Sequence, residues 1–160
     1  MSEFTHVDEF GHATMVDVSE KSITQRVAKA RATVKTRPDV IDAISSGRLP
    51  KGDVLAVARV AGIMAAKKTH ELIPLCHPLP IEQIEVNFNI KEDEIELQTN
   101  VKSSAKTGVE MEALTAAAVT ALTIYDMCKS TDREMSITNI RVIEKDGGKS
   151  GHYIFKEENP

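Results

Sequence analysis

A chain of 160 residues, 41% hydrophobic and 28% charged, has the length and composition of one domain with its own core and is too short for two. A formal net charge of -4, two tyrosines, four phenylalanines and no tryptophan argue against a nucleic-acid partner, with little pull on phosphates and few rings to stack on bases. No apolar run approaches a membrane span, residues 1–18 lack the basic and apolar regions of a signal peptide, and Cys76 and Cys128 stand apart from any CxxC spacing; the expectations are a cytoplasmic protein, free thiols and no four-cysteine zinc site.

Residues 1–14 mix His, Asp, Glu and Gly without period and are expected to form a mobile arm, leaving 15–160 as the single domain. From Ser22 to Thr36 small or apolar residues at Ala28, Ala30, Ala32 and Val34 alternate with Lys29, Arg31 and Lys35, the period of a strand. Arg26 falls on its small-residue face, where a charge requires a partner. Pro38 opens a short helix closed by Gly47 in a left-handed cap. Asp53 is the N-cap of a further helix through about Lys68, whose Val, Leu, Ala, Ile and Met content predicts a mostly buried element. Gly62 within it predicts close approach by another element. Pro74, Pro78 and Pro80 end helical possibility, so residues 72–79 form a rigid loop.

IEQIEVNFNI and EIELQTNVKSS form a hairpin, with Ile84, Val86, Phe88 and Ile90 on one face of the first strand and Ile95, Leu97, Thr99 and Val101 on one face of the second. Thr107 to Lys129 reads as one long helix. MSITNIRVIEK is the last long strand, with Ile137, Ile140 and Val142 apolar, followed by the turn DGGKSG and a short GHYIF strand. This order is the split βαβ of the ferredoxin-like class, an α+β fold with helices packed on one face of an antiparallel sheet.

The long helix has no charge between Ala113 and Tyr125, so it belongs in a core or between subunits. Its polar residues sit at the ends. Glu110, Glu112 and Lys129 suit the helix dipole there, but Asp126 lies at the unfavourable end, sharing a face with Lys129 as an acid and base pair could. Glu112 and Asp126 lie fourteen positions apart, within about 40° on the wheel but separated by roughly 21 Å along the axis. One helix cannot place both in one pocket. Two copies packed antiparallel about a two-fold axis could.

His70-Glu71-Leu72-Ile73-Pro74 has Pro74 where a zinc-protease motif needs its second histidine, and Gly148-Lys149-Ser150 has Ile143 where a P-loop needs its first glycine. Both motifs are rejected. Cys76 and His77 with His70 lack a fourth metal ligand at known spacing, and no metal site is expected. His77, fixed between Cys76 and Pro78, can donate to a phosphate or carbonyl, though taken alone it reads as an ordinary loop histidine. Lys67 and Lys68 read equally as a solvated helix end. Lys51-Gly52 before a helix N-terminus suits an anion, and equally an exposed lysine.

KKTHELIPLCHPLP, TGVEMEAL, IYDMCK and IRVIEKDGGKSG together closely resemble the molybdenum cofactor biosynthesis protein C family of cyclic pyranopterin monophosphate synthases. The resemblance runs from Met15 to Gly151. It implies a ferredoxin-like subunit in a homohexamer, a trimer of dimers, with active sites at the dimer interface. It implies a lyase acting on 3',8-cyclo-7,8-dihydroguanosine 5'-triphosphate, supplied by the radical GTP cyclase of the pathway, to give cyclic pyranopterin monophosphate and pyrophosphate. Leu75, Cys76 and His77 match the family's substrate-binding loop, Met111 and Glu112 its contact from the long helix with Glu110 beside them. Asp126 matches the active-site aspartate, Lys129 its partner lysine, and Lys51, Arg26 and Lys145 the basic residues of the pocket. No resident cofactor is implied, with magnesium left open as a companion of the triphosphate. The competing reading is a non-catalytic, GTP-binding regulatory module, because the ferredoxin-like fold alone does not decide function.

Overall fold

A computed structural model describes residues 6–157. The alternating segment forms strand β1 (Thr24–Lys35), whose Ala28, Ala30, Ala32 and Val34 are fully buried. Strands β2 (Ile81–Ile90) and β3 (Glu94–Ala105) make the expected hairpin, and β3 pairs antiparallel with one edge of β1. On the other edge lies β4 (Ser136–Asp146), which continues to β5 (Tyr153–Ile154). The order β2-β3-β1-β4-β5, antiparallel throughout, is the ferredoxin-like arrangement with one short strand added.

Helices α1 (Pro38–Ser45), α2 (Val54–Lys67), α3 (Thr69–Leu72) and α4 (Glu110–Cys128) complete the α+β fold. Gly47 follows α1 at φ 65°, the left-handed geometry that favours glycine. The Asp53 carboxylate caps α2 by accepting from the Ala56 N–H at 3.0 Å. Helix α4 packs across β1, β3 and β4, and α2 packs on α4 and β2. Small residues make this layer thin. Ala113, Ala117 and Ala121 of α4 are buried in one cluster with the alanines of β1, and Gly62 of α2 lies against Thr120 and the Ala116 carbonyl of α4. Thr99 is satisfied in the core by donating to the Ala113 carbonyl at 2.8 Å.

Two expectations are corrected. Helix α2 is not mostly buried within one chain: Val57, Val60 and Met64 are 46%, 56% and 53% exposed, an apolar stripe at helical spacing on the side away from α4. Helix α4 begins at Glu110 rather than Thr107, because Thr107 and Gly108 are spent in the turn out of β3. Ile140 is exposed although Ile137 and Val142 are partly buried, because Asn139 adopts φ 56° and the β1–β4 register shifts beside it, breaking the alternation. Of the expected arm, residues 1–5 lie outside the described residues, and the rest carries a turn with a bridge between Val7 and Ala13.

Candidate functional site

The two polar ends of α4 face two different constellations. At its start, the loop after α3 turns back through a hydrogen bond from the Cys76 N–H to the Ile73 carbonyl. This turn brings Leu75, Cys76 and His77 beside Glu110, Met111 and Glu112, and all six line one cavity of about 410 Å³. The segment before β1 supplies another wall, with Val16, Val18 and Lys21, and the Val16 carbonyl lies 2.8 Å from His77 Nε2. A carbonyl there accepts, so Nε2 carries a proton and Nδ1 is left as the second polar atom of the ring.

Arg26 and Lys145 flank this cavity without lining it. Lys145 sits opposite Ala28 in the sheet, 4.0 Å from the Glu110 carboxylate, and also hydrogen-bonds the Ser150 hydroxyl. Arg26 finds the partners its position demanded: its guanidinium donates to the carbonyls of Gly147 at 3.2 Å and Lys106 at 3.4 Å. Its Nε is buried without a hydrogen-bond partner among the described residues. The Gly147-Gly148 turn fits closely around it, at φ 100° and 77°, and a Cβ on Gly148 would strike the guanidinium.

Burial governs protonation at this end. Glu112, only 4% exposed, has its carboxyl pKa pushed up, first by desolvation and then by Glu110. Burial pushes up the Cys76 thiol, so it is held as a thiol and not activated as a nucleophile.

The far end of α4 is open and charged. Asp126 lies 2.7 Å from Lys129 Nζ and 3.2 Å from Lys51 Nζ, and Lys51 also donates to the Asp126 main-chain carbonyl at 2.9 Å. Lys129, then Lys51, holds the Asp126 carboxyl below the ordinary carboxylate range, and Asp126 raises the Lys129 ammonium in return. Behind them burial pushes the Cys128 thiol up to about 11.

The structure thus gathers Asp126, Lys129 and Lys51 in one place and the other expected residues in another, roughly 21 Å apart along α4. Sequence reasoning missed Val16, Val18, Lys21, Thr107 and Gly108. The available signal was the apolar pair around Asp17, set immediately before a strand where no core element needs it.

Fold and site together define a ferredoxin-like α+β protein with a small-molecule cavity at one end of its long helix and a charged cluster at the other. The chain belongs to the MoaC family, whose sequence profile matches residues 15–148. It is 58% identical over 160 residues to the cyclic pyranopterin monophosphate synthase of Thermomicrobium roseum, covering 99% of this chain and 96% of that protein. It is 55% identical over 159 residues to the protein of the same name from Heliobacterium modesticaldum, covering 98% and 100%. To cyclic pyranopterin monophosphate synthase 3 of Mycobacterium tuberculosis it is 57% identical over 150 residues, covering 93% and 85%.

Proposed function

We propose that this chain is a cyclic pyranopterin monophosphate synthase of molybdenum cofactor biosynthesis, a phosphorus-oxygen lyase that converts the cyclised dihydro-GTP to the tricyclic pyranopterin with release of pyrophosphate. Family membership supports the synthase reading. The observation that carries the assignment of residues is Asp126, held as a carboxylate between two lysine ammonium groups.

That arrangement suits formation of the cyclic phosphate. A substrate hydroxyl loses its proton to Asp126, its oxygen bonds to the α-phosphorus, and the bridging P–O bond to pyrophosphate breaks. Negative charge builds on the departing phosphates, where Lys51 and Lys129 stabilise it. Asp126 is exposed and passes its proton to solvent. Opening the five-membered ring and closing the pyran move protons in both directions, a task for the same Asp and Lys pair. The cavity at the other end takes the guanine-derived rings, with Leu75, Cys76, His77, Glu110, Met111 and Glu112 around them and Arg26 and Lys145 behind.

One nucleotide triphosphate bridges both constellations only if they come from two chains. Antiparallel packing about a two-fold axis sets the start of one α4 beside the end of the other, and the exposed Val57, Val60 and Met64 stripe supplies apolar surface for such packing. The full assembly in this reading is a hexamer, a trimer of dimers, fed by the radical GTP cyclase of the pathway in the cytoplasm. No resident cofactor is part of this reading, and magnesium is left open as a companion of the triphosphate. Among the described residues no helix is long and apolar enough to cross a membrane.

The test is pyrophosphate release from the cyclised dihydro-GTP by the intact chain beside Asp126→Ala and Lys129→Ala. Turnover that collapses in both variants supports the lyase and its pair. Tight nucleotide binding without release would instead leave a GTP-binding regulatory module.

A further inference from the structure

The cavity at the start of α4 holds two carboxyl groups in different surroundings. Glu110 lies 4.0 Å from Lys145, is about one-third exposed, and rests against Gly108, where a Cβ would collide with its carboxylate. Glu112 is 4% exposed and forms no ion pair with any lysine or arginine among the described residues. The groups that share its cavity are Glu110 from its own helix, Cys76 and His77 from the 73–80 loop, and Lys21 and His6 from the N-terminal segment. Of these, His77 already engages the Val16 carbonyl, and Cys76 is a thiol that burial keeps neutral. A carboxyl that is buried, in no ion pair and next to a second carboxyl disfavours its charged form.

We propose that Glu112 works as a neutral carboxylic acid and Glu110 as a carboxylate, so that the cavity offers one proton donor and one anionic acceptor to a ring lactam. This rests on the reading that the cavity takes the guanine-derived rings of the substrate. The lactam N–H and the neighbouring amino group of such a ring donate to Glu110, whose two oxygens accept in parallel. The ring carbonyl accepts from the Glu112 hydroxyl. An adenine ring inverts this edge: a lone pair would face the Glu110 carboxylate, and an N–H would face the Glu112 O–H. Such a mismatch leaves buried polar groups unpaired, which discriminates strongly between otherwise similar rings. The upward push on the Glu112 carboxyl, by burial and then by Glu110, agrees with this division of roles.

Two measurements test it. The infrared difference spectrum of the ¹³C-glutamate-labelled chain against Glu112→Gln should contain, at neutral pH, the carbonyl stretch of a protonated carboxyl; its absence overturns the proposal. Calorimetric binding of GTP and ATP across a rising pH series should show GTP affinity falling about tenfold as Glu112 ionises, the cost of a lost charge-sensitive hydrogen bond. That limb should be missing in Glu112→Gln, whereas a limb owed to His77 or His6 would survive there and refute the assignment. Glu110→Gln should erase the preference for GTP over ATP at every pH, and a preference that persists overturns the acceptor role. If Glu112→Gln does not fold, the ¹³C resonances of the labelled intact chain still decide, since one glutamate must titrate above the ordinary range. A protonated Glu112 in a chain that releases no pyrophosphate would leave this inference standing and remove the synthase. Pyrophosphate release with Glu112 ionised would do the reverse.

Discussion

Lys51 Nζ donates to two oxygens of Asp126, the main-chain carbonyl at 2.9 Å and the carboxylate Oδ2 at 3.2 Å. The ammonium ties the loop before α2 to the last turn of α4, where the helix dipole presents its negative end and a second anion would otherwise be disfavoured. Because both groups are substantially exposed, this tie contributes little to the stability of the fold.

Lys51→Met should therefore separate activity from stability. Removing one positioned cation from the departing phosphates should lower kcat by about 10²-fold. The melting temperature should move by no more than about 2 °C, as expected for an exposed pair. Pyrophosphate release and calorimetry on the same preparation check both. A large fall in melting temperature would make Lys51 a structural residue.

Titration of Asp126 should follow its lysines. Its carboxyl is held low by Lys129 first and Lys51 second, so its favourable interactions are present above the ordinary carboxyl pKa and are lost as pH falls through the lowered folded value. Carboxyl ¹³C NMR should show the midpoint rising toward the ordinary range in Lys129→Ala, and rising less in Lys51→Ala. An unmoved midpoint in both would mean that neither cation acts on this carboxylate in solution.

Mixed oligomers examine the two-chain site. Glu112→Ala disables the start of α4 and Asp126→Ala its end, so each pure variant should be inactive. After subunit exchange of an equal mixture, verified by mass spectrometry, about a quarter of wild-type turnover should return, because half of the pairs are mixed and each mixed pair carries one intact site. Verified exchange without recovered activity would place each site within a single chain.

Gly62→Ala should destabilise the protein despite better helix propensity. A Cβ at Gly62 meets Thr120 Oγ1 and lies 3.1 Å from the Ala116 carbonyl oxygen, so α2 and α4 must part. Overpacking of this kind costs about 1–3 kcal/mol, against the ~1 kcal/mol that alanine gains over glycine within a helix. Adding Thr120→Ala should restore only part of the loss, since the main-chain oxygen remains. Denaturant unfolding of the single and double variants measures both steps.

Much of the architecture was written locally. The alternation of β1, the proline stop after α3, the Asp53 cap and the hairpin around residue 92 each depend on neighbours within a few positions, where steric and capping preferences act directly. The order of these elements leaves few ways to cover one sheet face, and the ferredoxin-like arrangement follows. The uncharged middle and charged ends of α4 were equally plain, as was the demand that Arg26 find a partner.

Tertiary structure alone decided the rest, because it depends on residues far apart in the chain. Lys51 and Asp126 meet across 75 positions, and Val16 and His77 across 61, with no local pattern to announce either contact. Glu110 and Glu112 are the same residue type two positions apart, yet one faces Lys145 and solvent while the other is enclosed by the 73–80 loop and the segment before β1. Composition made both acidic, whereas packing removed water from one and raised its pKa. The exposed stripe of α2 has the same origin: its residues are as apolar as a core helix requires, and only the position of α4 determines which of them a single chain can bury.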